Sequence, residues 1–266
     1  MKLRHLLIAL MIYTPLSFAE VYTFGIVPQQ SAKRLAAQWT PILDEISRQT
    51  GHTIVFSTAA DIPTFEQRLK EGEYDFAYMN PYHYTVYSQN PGYRAMAKAK
   101  DKRLKGIIVV KKGSNITSAS QLEGKTLAFP SPAAFAASIL TRNYLTQASV
   151  EFEPEYVSSH DSVYLAVAKG FYPAGGGIYR TFNSLPDETK KLLTPIWETN
   201  GFTPHAIAAH PRVPKNIVEA VSLSFSQLGE TKETQNIIKP LRIQSFALAH
   251  DSDWDDVREL NINLLE

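Results

Sequence analysis

TIVFSTAADIPTFEQRLKEGEYDFAYMNPYHYTVYSQ, residues 53–89, decides the fold. Thr53–Thr58 is rich in β-branched and aromatic residues and reads as a strand. Thr64 to Glu71 reads as a short helix, with Thr64 placed to cap it and Phe65 and Leu69 on one face. Gly72 ends that helix, and YDFAYMN, residues 74–80, returns to strand. Asn80-Pro81 breaks the strand, and Pro81–Gln89 opens another helix. Upstream, Val21–Val27 reads as a strand with Gly25 near its end, and Pro28 starts a loop. Residues 31–50 then carry Leu35, Trp39, Leu43 and Ile46 on one helical face. Pro41 inside that run implies a kink or a late start, and Gly51 is the stop. The order is βαβαβα, which calls for a parallel sheet covered by helices on both faces.

The same grammar restarts near Lys105. GIIVVKKGS (106–114) is a strand and turn, and residues 119–132 give a short helix, a glycine stop and a strand. Ala133–Thr146 and Asp161–Gly170 read as helices, the second entered through Ser158, Ser159 and His160. A glycine-rich strand, YPAGGGIY (172–179), follows. From about Pro214 the chain is mainly helical, with a turn or strand at 241–246 and a last helix at 253–260. Two similar βα units joined by two crossings, near 100–107 and 199–209, make a two-lobe architecture. Lobe one comprises residues 20–104 plus 207–266, and lobe two residues 105–206. Between them lies a cleft walled by strand C-termini and helix N-termini, where open α/β sheets bind small ligands.

The first nineteen residues have a basic start (Lys2, Arg4, His5), an apolar run over Leu6–Leu16, and small residues at Ser17 and Ala19 before Glu20. That is the pattern of a cleaved secretory signal peptide, too short in its apolar part for a membrane span. No Cys follows it, so lipid attachment there is unavailable. Removing 19 of 266 residues leaves 247, and loss of Lys2 and Arg4 takes the formal charge from +1 to −1. A near-neutral chain gives no electrostatic case for nucleic acid or an anionic membrane. With 44% apolar residues the chain can build proper cores, and the absence of Cys excludes disulfides, thiolate metal sites and Cys nucleophiles. Thirteen Tyr, thirteen Phe and three Trp provide rings that can wall a cleft.

Several strings resemble the phosphate/phosphite/phosphonate-binding group of bacterial periplasmic solute-binding proteins. They are FGIVPQ (24–29), QWTPILDEISRQTG (38–51), FEQRLKEGEYDFAYMNPYHY (65–84), SQLEGKTLAFPSP (120–132) and SSHDSVYLAVAKG (158–170). The resemblance implies an α/β, two-lobe type II periplasmic-binding-protein fold, each lobe a mainly parallel sheet flanked by helices. It implies capture of a small anionic or zwitterionic solute for an inner-membrane ABC permease. The chain departs from the group where an Asp-Pro-x-Ser-Thr-Ser-Gly-type loop normally holds the phosphorus oxyanion. Phe129–Ala136 keeps one hydroxyl there, Ser131, and Pro132 removes an N–H donor. A Val-Asp-Ala-type acidic position is Tyr172-Pro173-Ala174 here, so one partner for an ammonium group is missing.

The candidate ligand contacts follow from these positions. Ser131, Ala133 and Ala134 lie at a helix start, whose free N–H groups and dipole favour an anion. Asn80, Tyr82 and Tyr84 follow a lobe-one strand, matching the group's Gly-Pro-x-x-Tyr string, and at least one of the two rings is expected to face the cleft. Gln29 and Gln30 lie where the first strand runs out. His160 and Asp161 match a Ser-His-Asp string, Asp161 being also a possible helix cap. Arg180 follows the Gly175–Gly177 run, which permits close backbone approach. Ser131, His160 and Asp161 contain the residue types of a catalytic triad, but no G-x-S-x-G elbow surrounds Ser131 and His160 adjoins Asp161 directly. The histidines show no metal-ligand spacing. The reading is therefore a monomeric, periplasmic, non-enzymatic binding protein without cofactor or metal. The alternatives are a ligand sensor signalling to a membrane kinase and, third, a periplasmic hydrolase.

Overall fold

Glycines and capping side chains set the element ends, as the sequence demands. In the computed structural model, which describes residues 20–265, Ser31 accepts from the Arg34 N–H to start α1 (Ala32–Thr50), and Gly51, in the left-handed region at φ 72°, ends it. The predicted signal peptide, residues 1–19, lies outside the described residues. Helix α1 runs through Pro41 from its expected beginning, so the proline does not delay its start. Its Leu35, Trp39, Leu43 and Ile46 are all buried. Helix α2 (Ile62–Lys70) starts two residues earlier than predicted. Asp61 is its cap, accepting from the Thr64 N–H at 2.8 Å, so Thr64 is the recipient rather than the cap. Helices α3 (Pro81–Tyr87), α4 (Leu140–Gln147), α5 (His160–Lys169) and α6 (Tyr179–Asn183) follow. One π-helical turn, Phe135–Ile139, leads into α4.

The described residues form eleven strands, β1 (Val21–Ile26), β2 (Thr53–Thr58), β3 (Phe76–Met79), β4 (Arg94–Ala99), β5 (Gly106–Lys111), β6 (Lys125–Phe129), β7 (Phe152–Tyr156), β8 (Ala174–Ile178), β9 (Leu193–Glu198), β10 (Ala206–Ala209) and β11 (Phe246–Leu248). They form a six-stranded sheet, order β11-β4-β10-β3-β1-β2, and a five-stranded sheet, order β7-β6-β8-β5-β9. The expectation of parallel pairing holds for β2-β1-β3 and β7-β6-β8. Strands β5 and β10 run antiparallel to both neighbours, so each sheet is mixed. The reason is the route of the chain: each is the first strand after a crossing. It enters its sheet from the cleft side, where the parallel strands end. Strand β10 begins at Ala206, one residue before the predicted change of lobe.

Strand β5 is buried on both faces, which its unbroken apolar run reflects. Ile107 and Val109 pack under α5 with Val163 and Val167, while Ile108 and Val110 pack under α4 with Leu127 and Leu145. The core of the six-stranded sheet extends beyond its own lobe. It takes in Ala133–Ala137 and Ile178 from the other, and Phe135 meets Phe202 edge-on at 5.5 Å. The two halves are therefore pressed together at the start of the π turn.

Candidate functional site

The C-terminal ends of β1, β3 and β8 deliver the site's side chains to the junction of the lobes. Gln29 leaves β1, Tyr78 sits on β3, and Asn80 caps α3 by accepting from the His83 N–H at 2.8 Å. Asn80 also donates to the Ala133 carbonyl at 3.2 Å, across the junction. His160 opens α5, whose cap is Ser159, and its backbone N–H donates to the Gln29 carbonyl at 3.1 Å. Arg180, on α6, donates to Gln29 Oε1. That contact fixes the amide orientation, so Gln29 Nε2 donates to His205 Nε2 at 3.0 Å, with His160 Nε2 at 3.5 Å. His160 Nδ1 meets Thr181 Oγ1 at 3.2 Å. His205 lies flat on Tyr78, ring centroids 4.9 Å apart, and the Arg180 guanidinium sits 5.8 Å over the same Tyr78 ring. Between these groups the closed junction leaves a cavity of about 10 Å³, bordered by Gln29, Asn80, Ala134, His160 and His205, about the space of one water.

Burial and then the Arg180 charge hold both imidazoles neutral. His160 is pushed down to about 3, and His205 well below its ordinary value. The site thus holds one cation among the described residues, Arg180, beside neutral polar groups. Among the described residues no carboxylate is in ion-pair distance of Arg180, while its Nε and the Ser131 hydroxyl are buried without a hydrogen-bond partner.

The neutral imidazoles give the closed structure a pH dependence whose sign is fixed. An unfolded histidine takes a proton near 6.5, whereas His160 in place resists it down to about 3. Stability is therefore complete above about pH 6.5 and is lost as pH falls toward 3. At pH 4.5 the loss through His160 is about 2–3 kcal/mol, and His205 acts in the same direction. Thermal melts from pH 7 to 4.5 should show this slope, flattened in His160→Gln. An identical slope in the variant would refute the assignment.

The structure gathers Gln29, Asn80, Ala133, Ala134, His160 and Arg180, with Ser131 buried at the same turn. Gln30 is buried beside Asp161, and burial pushes the Asp161 carboxyl above its ordinary value against the opposing pull of Arg34 and Gln30. Asp161 itself faces Arg34 of the other lobe at 3.3 Å. Arg34 also donates to the Ser184 carbonyl, so this pair ties the lobes together beside the cavity. Asp161 is not the cap of α5. Neither tyrosine of α3 reaches the cavity, contrary to the sequence expectation. The Tyr82 hydroxyl accepts from the Leu265 N–H at 2.8 Å. Tyr84 bonds Asp251 at 2.8 Å and packs on Trp254, ring centroids 4.6 Å apart. Both rings turn toward the C-terminal segment, leaving only the cap of α3 at the junction. Tyr78 and His205 take the place expected for them.

Two lobes whose strand ends and helix starts converge on one unpaired arginine define a solute-binding protein of the type II periplasmic fold. The chain belongs to the ABC transporter, phosphonate, periplasmic substrate-binding protein family, whose sequence model matches residues 24–254. It is 21% identical over 279 residues to the phosphate-import protein PhnD of Mycolicibacterium smegmatis, covering 91% of this chain and 85% of that protein. Its structure is similar to a binding-protein component of an ABC phosphonate transporter from Pseudomonas aeruginosa (TM-score 0.84, 18% identity, 92% of this chain and 86% of that one). It is similar too to PhnD1 of Prochlorococcus marinus in complex with methylphosphonate (TM-score 0.83, 18% identity, 92% and 98%). The protein is thus a periplasmic substrate-binding component of an ABC transporter, a class that works with a small-molecule ligand and a membrane permease.

Proposed function

We propose that the chain captures a phosphate- or phosphonate-type anion between its lobes and passes it, chemically unchanged, to the permease. The single observation that carries this is Arg180, a cation at the lobe junction with no carboxylate partner among the described residues and a buried, unsatisfied Nε. A phosphorus oxyanion offers the planar fork of Arg180 two acceptors, and the Gln29 and Asn80 amides, the Ser131 hydroxyl and the imidazoles supply neutral hydrogen bonds. Phosphate import in the mycobacterial relative and methylphosphonate in the cyanobacterial one agree with this chemistry. An ammonium group on the solute finds no free carboxylate at the site among the described residues, because Asp161 is engaged by Arg34.

The lobes, divided near residues 105 and 206, open by rotation about the crossings at 100–105 and 199–205. The chain acts as a monomer secreted through residues 1–19. A carrier that leaves its solute unchanged needs no catalytic residues, and Ser131, His160 and Asp161 do not form a triad: His160 Nδ1 is turned to Thr181 rather than to a carboxylate, and Ser131 has no bond to His160. Inorganic phosphate or methylphosphonate at about 100 times its Kd should stabilise the protein by about 2.7 kcal/mol, a rise of roughly 5–11 °C in a melt. A rise with amino acids but with neither anion would overturn the reading.

A further inference from the structure

Beside the closed cavity a much larger space opens along the two crossings. It measures about 390 Å³, and its wall carries Lys102, Arg103, Arg180, Lys190 and Arg242 with no Asp or Glu. Arg103 is paired with Asp256 at 2.8 Å. The other four have no carboxylate in ion-pair distance among the described residues. Lys190 and Arg242 come from opposite lobes and meet at one residue. Lys190 Nζ donates to Asn183 Oδ1 at 2.8 Å, and Arg242 donates to the Asn183 carbonyl at 3.0 Å. Neutral acceptors thus hold two cations facing one space. Lys102 and Arg242 also border an adjoining surface recess with Lys239, so the positive face continues outward. Like charges collected without acids repel one another, and a narrow space with low-dielectric walls concentrates their field on an incoming anion.

This vestibule is continuous with the candidate site, because Tyr78, Arg180 and His205 belong to its wall as well. Tyr179 offers apolar ring surface between the charges. Resting on the proposed anion capture, we infer that the preferred solute is a bifunctional organic anion. Its phosphate or phosphonate head sits at Arg180, and a second acidic group lies in the basic vestibule between Lys190 and Arg242. A single phosphate fills only the first position. Because the second group would touch Lys190 of one lobe and Arg242 of the other, it also favours closure.

Titration calorimetry on the mature protein with inorganic phosphate and with pyrophosphate tests this. Pyrophosphate should bind at least tenfold more tightly than phosphate. The double variant Lys190→Gln/Arg242→Gln should remove that advantage while leaving the phosphate Kd within about twofold. Raising sodium chloride from low to high concentration should weaken pyrophosphate more than phosphate. Equal affinities in the parent protein, or an advantage that survives the double variant, would overturn the vestibule and leave phosphate capture standing. Equal loss of both ligands in a double variant that melts like the parent would do the same. Binding of neither anion to the parent would bring down both readings.

Discussion

Arg180→Gln should weaken phosphate binding by at least about a hundredfold while moving the melting temperature of the unliganded protein by only ~2 °C. The first half follows from the number of charges in the site. Among the described residues Arg180 is the site's sole cation, and hydrogen bonds to charged groups contribute about 1.5–3 kcal/mol each. A forked contact to an oxyanion makes two. The second half follows from what Arg180 does without ligand. No carboxylate among the described residues is in ion-pair distance of it, and Asp161, whose charge it favours at longer range, keeps Arg34 as its partner. It gives up a bond to the Gln29 amide and a position 5.8 Å over Tyr78, a partly exposed cation–π contact of about 0.5–1 kcal/mol. Arg180→Lys should recover the charge but not the fork, and bind with intermediate affinity. Calorimetry of the three proteins reads this directly. Phosphate binding by Arg180→Gln within tenfold of the parent would remove Arg180 from the anchor role.

Why some of this was legible in the sequence and some was not comes down to range. Gln29, Asn80 and His160 could be placed from local pattern, because each follows a strand or opens a helix and such ends meet at the cleft. The partners that complete the site arrive from far along the chain. His205 reaches Gln29 across 176 residues, and nothing in the string around Pro204-His205 marks it. Tyr82 and Tyr84 were misplaced because the roll of α3 is set by the C-terminal segment around Asp251 and Trp254, not by the helix's own sequence. Among the strands, β4, β7, β9 and β10 escaped recognition for different reasons, β10 because it lies within the stretch read as the second crossing, 199–209. RAMAKA is half alanine with one Arg and one Lys, and has little strand preference. FEPEY and LTPIWE each contain a proline, which demotes a run. Both prolines are tolerated because β7 and β9 are the two edges of their sheet, with Pro195 next to the register shift opposite Ile108–Val109.

Gly176→Ala should be the most damaging small substitution in the second lobe, lowering stability by about 3 kcal/mol or more and the melting temperature by roughly 6–12 °C. The cause is steric and not conformational, since Gly176 is absent from the glycines held at positive φ. A methyl group there would lie 1.9 Å from the Ala137 carbonyl oxygen and 2.7 Å from the Phe129 ring. The first obstacle is backbone, so no rotamer change relieves it. That carbonyl is also held in place from the other side, where it accepts from the Thr141 hydroxyl at 2.6 Å. Its neighbours leave no room to slide β8 along the sheet. A methyl on Gly175 would meet Val163 at 2.4 Å, and one on Gly177 the Tyr164 hydroxyl at 2.2 Å. The triple glycine therefore exists so that the π turn and α5 can both lie directly on β8. The π turn carries Ala134 to the cavity wall, so any Gly176→Ala protein that still folds should also bind phosphate more weakly. Gly124→Ala is the matched control. It sits at φ +66° with open space around the missing methyl, so its cost is the left-handed backbone alone, about 1–2 kcal/mol. If Gly176→Ala melted no lower than Gly124→Ala, close packing of helix on strand would not be what the glycines provide, and their role would have to be sought at the ligand itself.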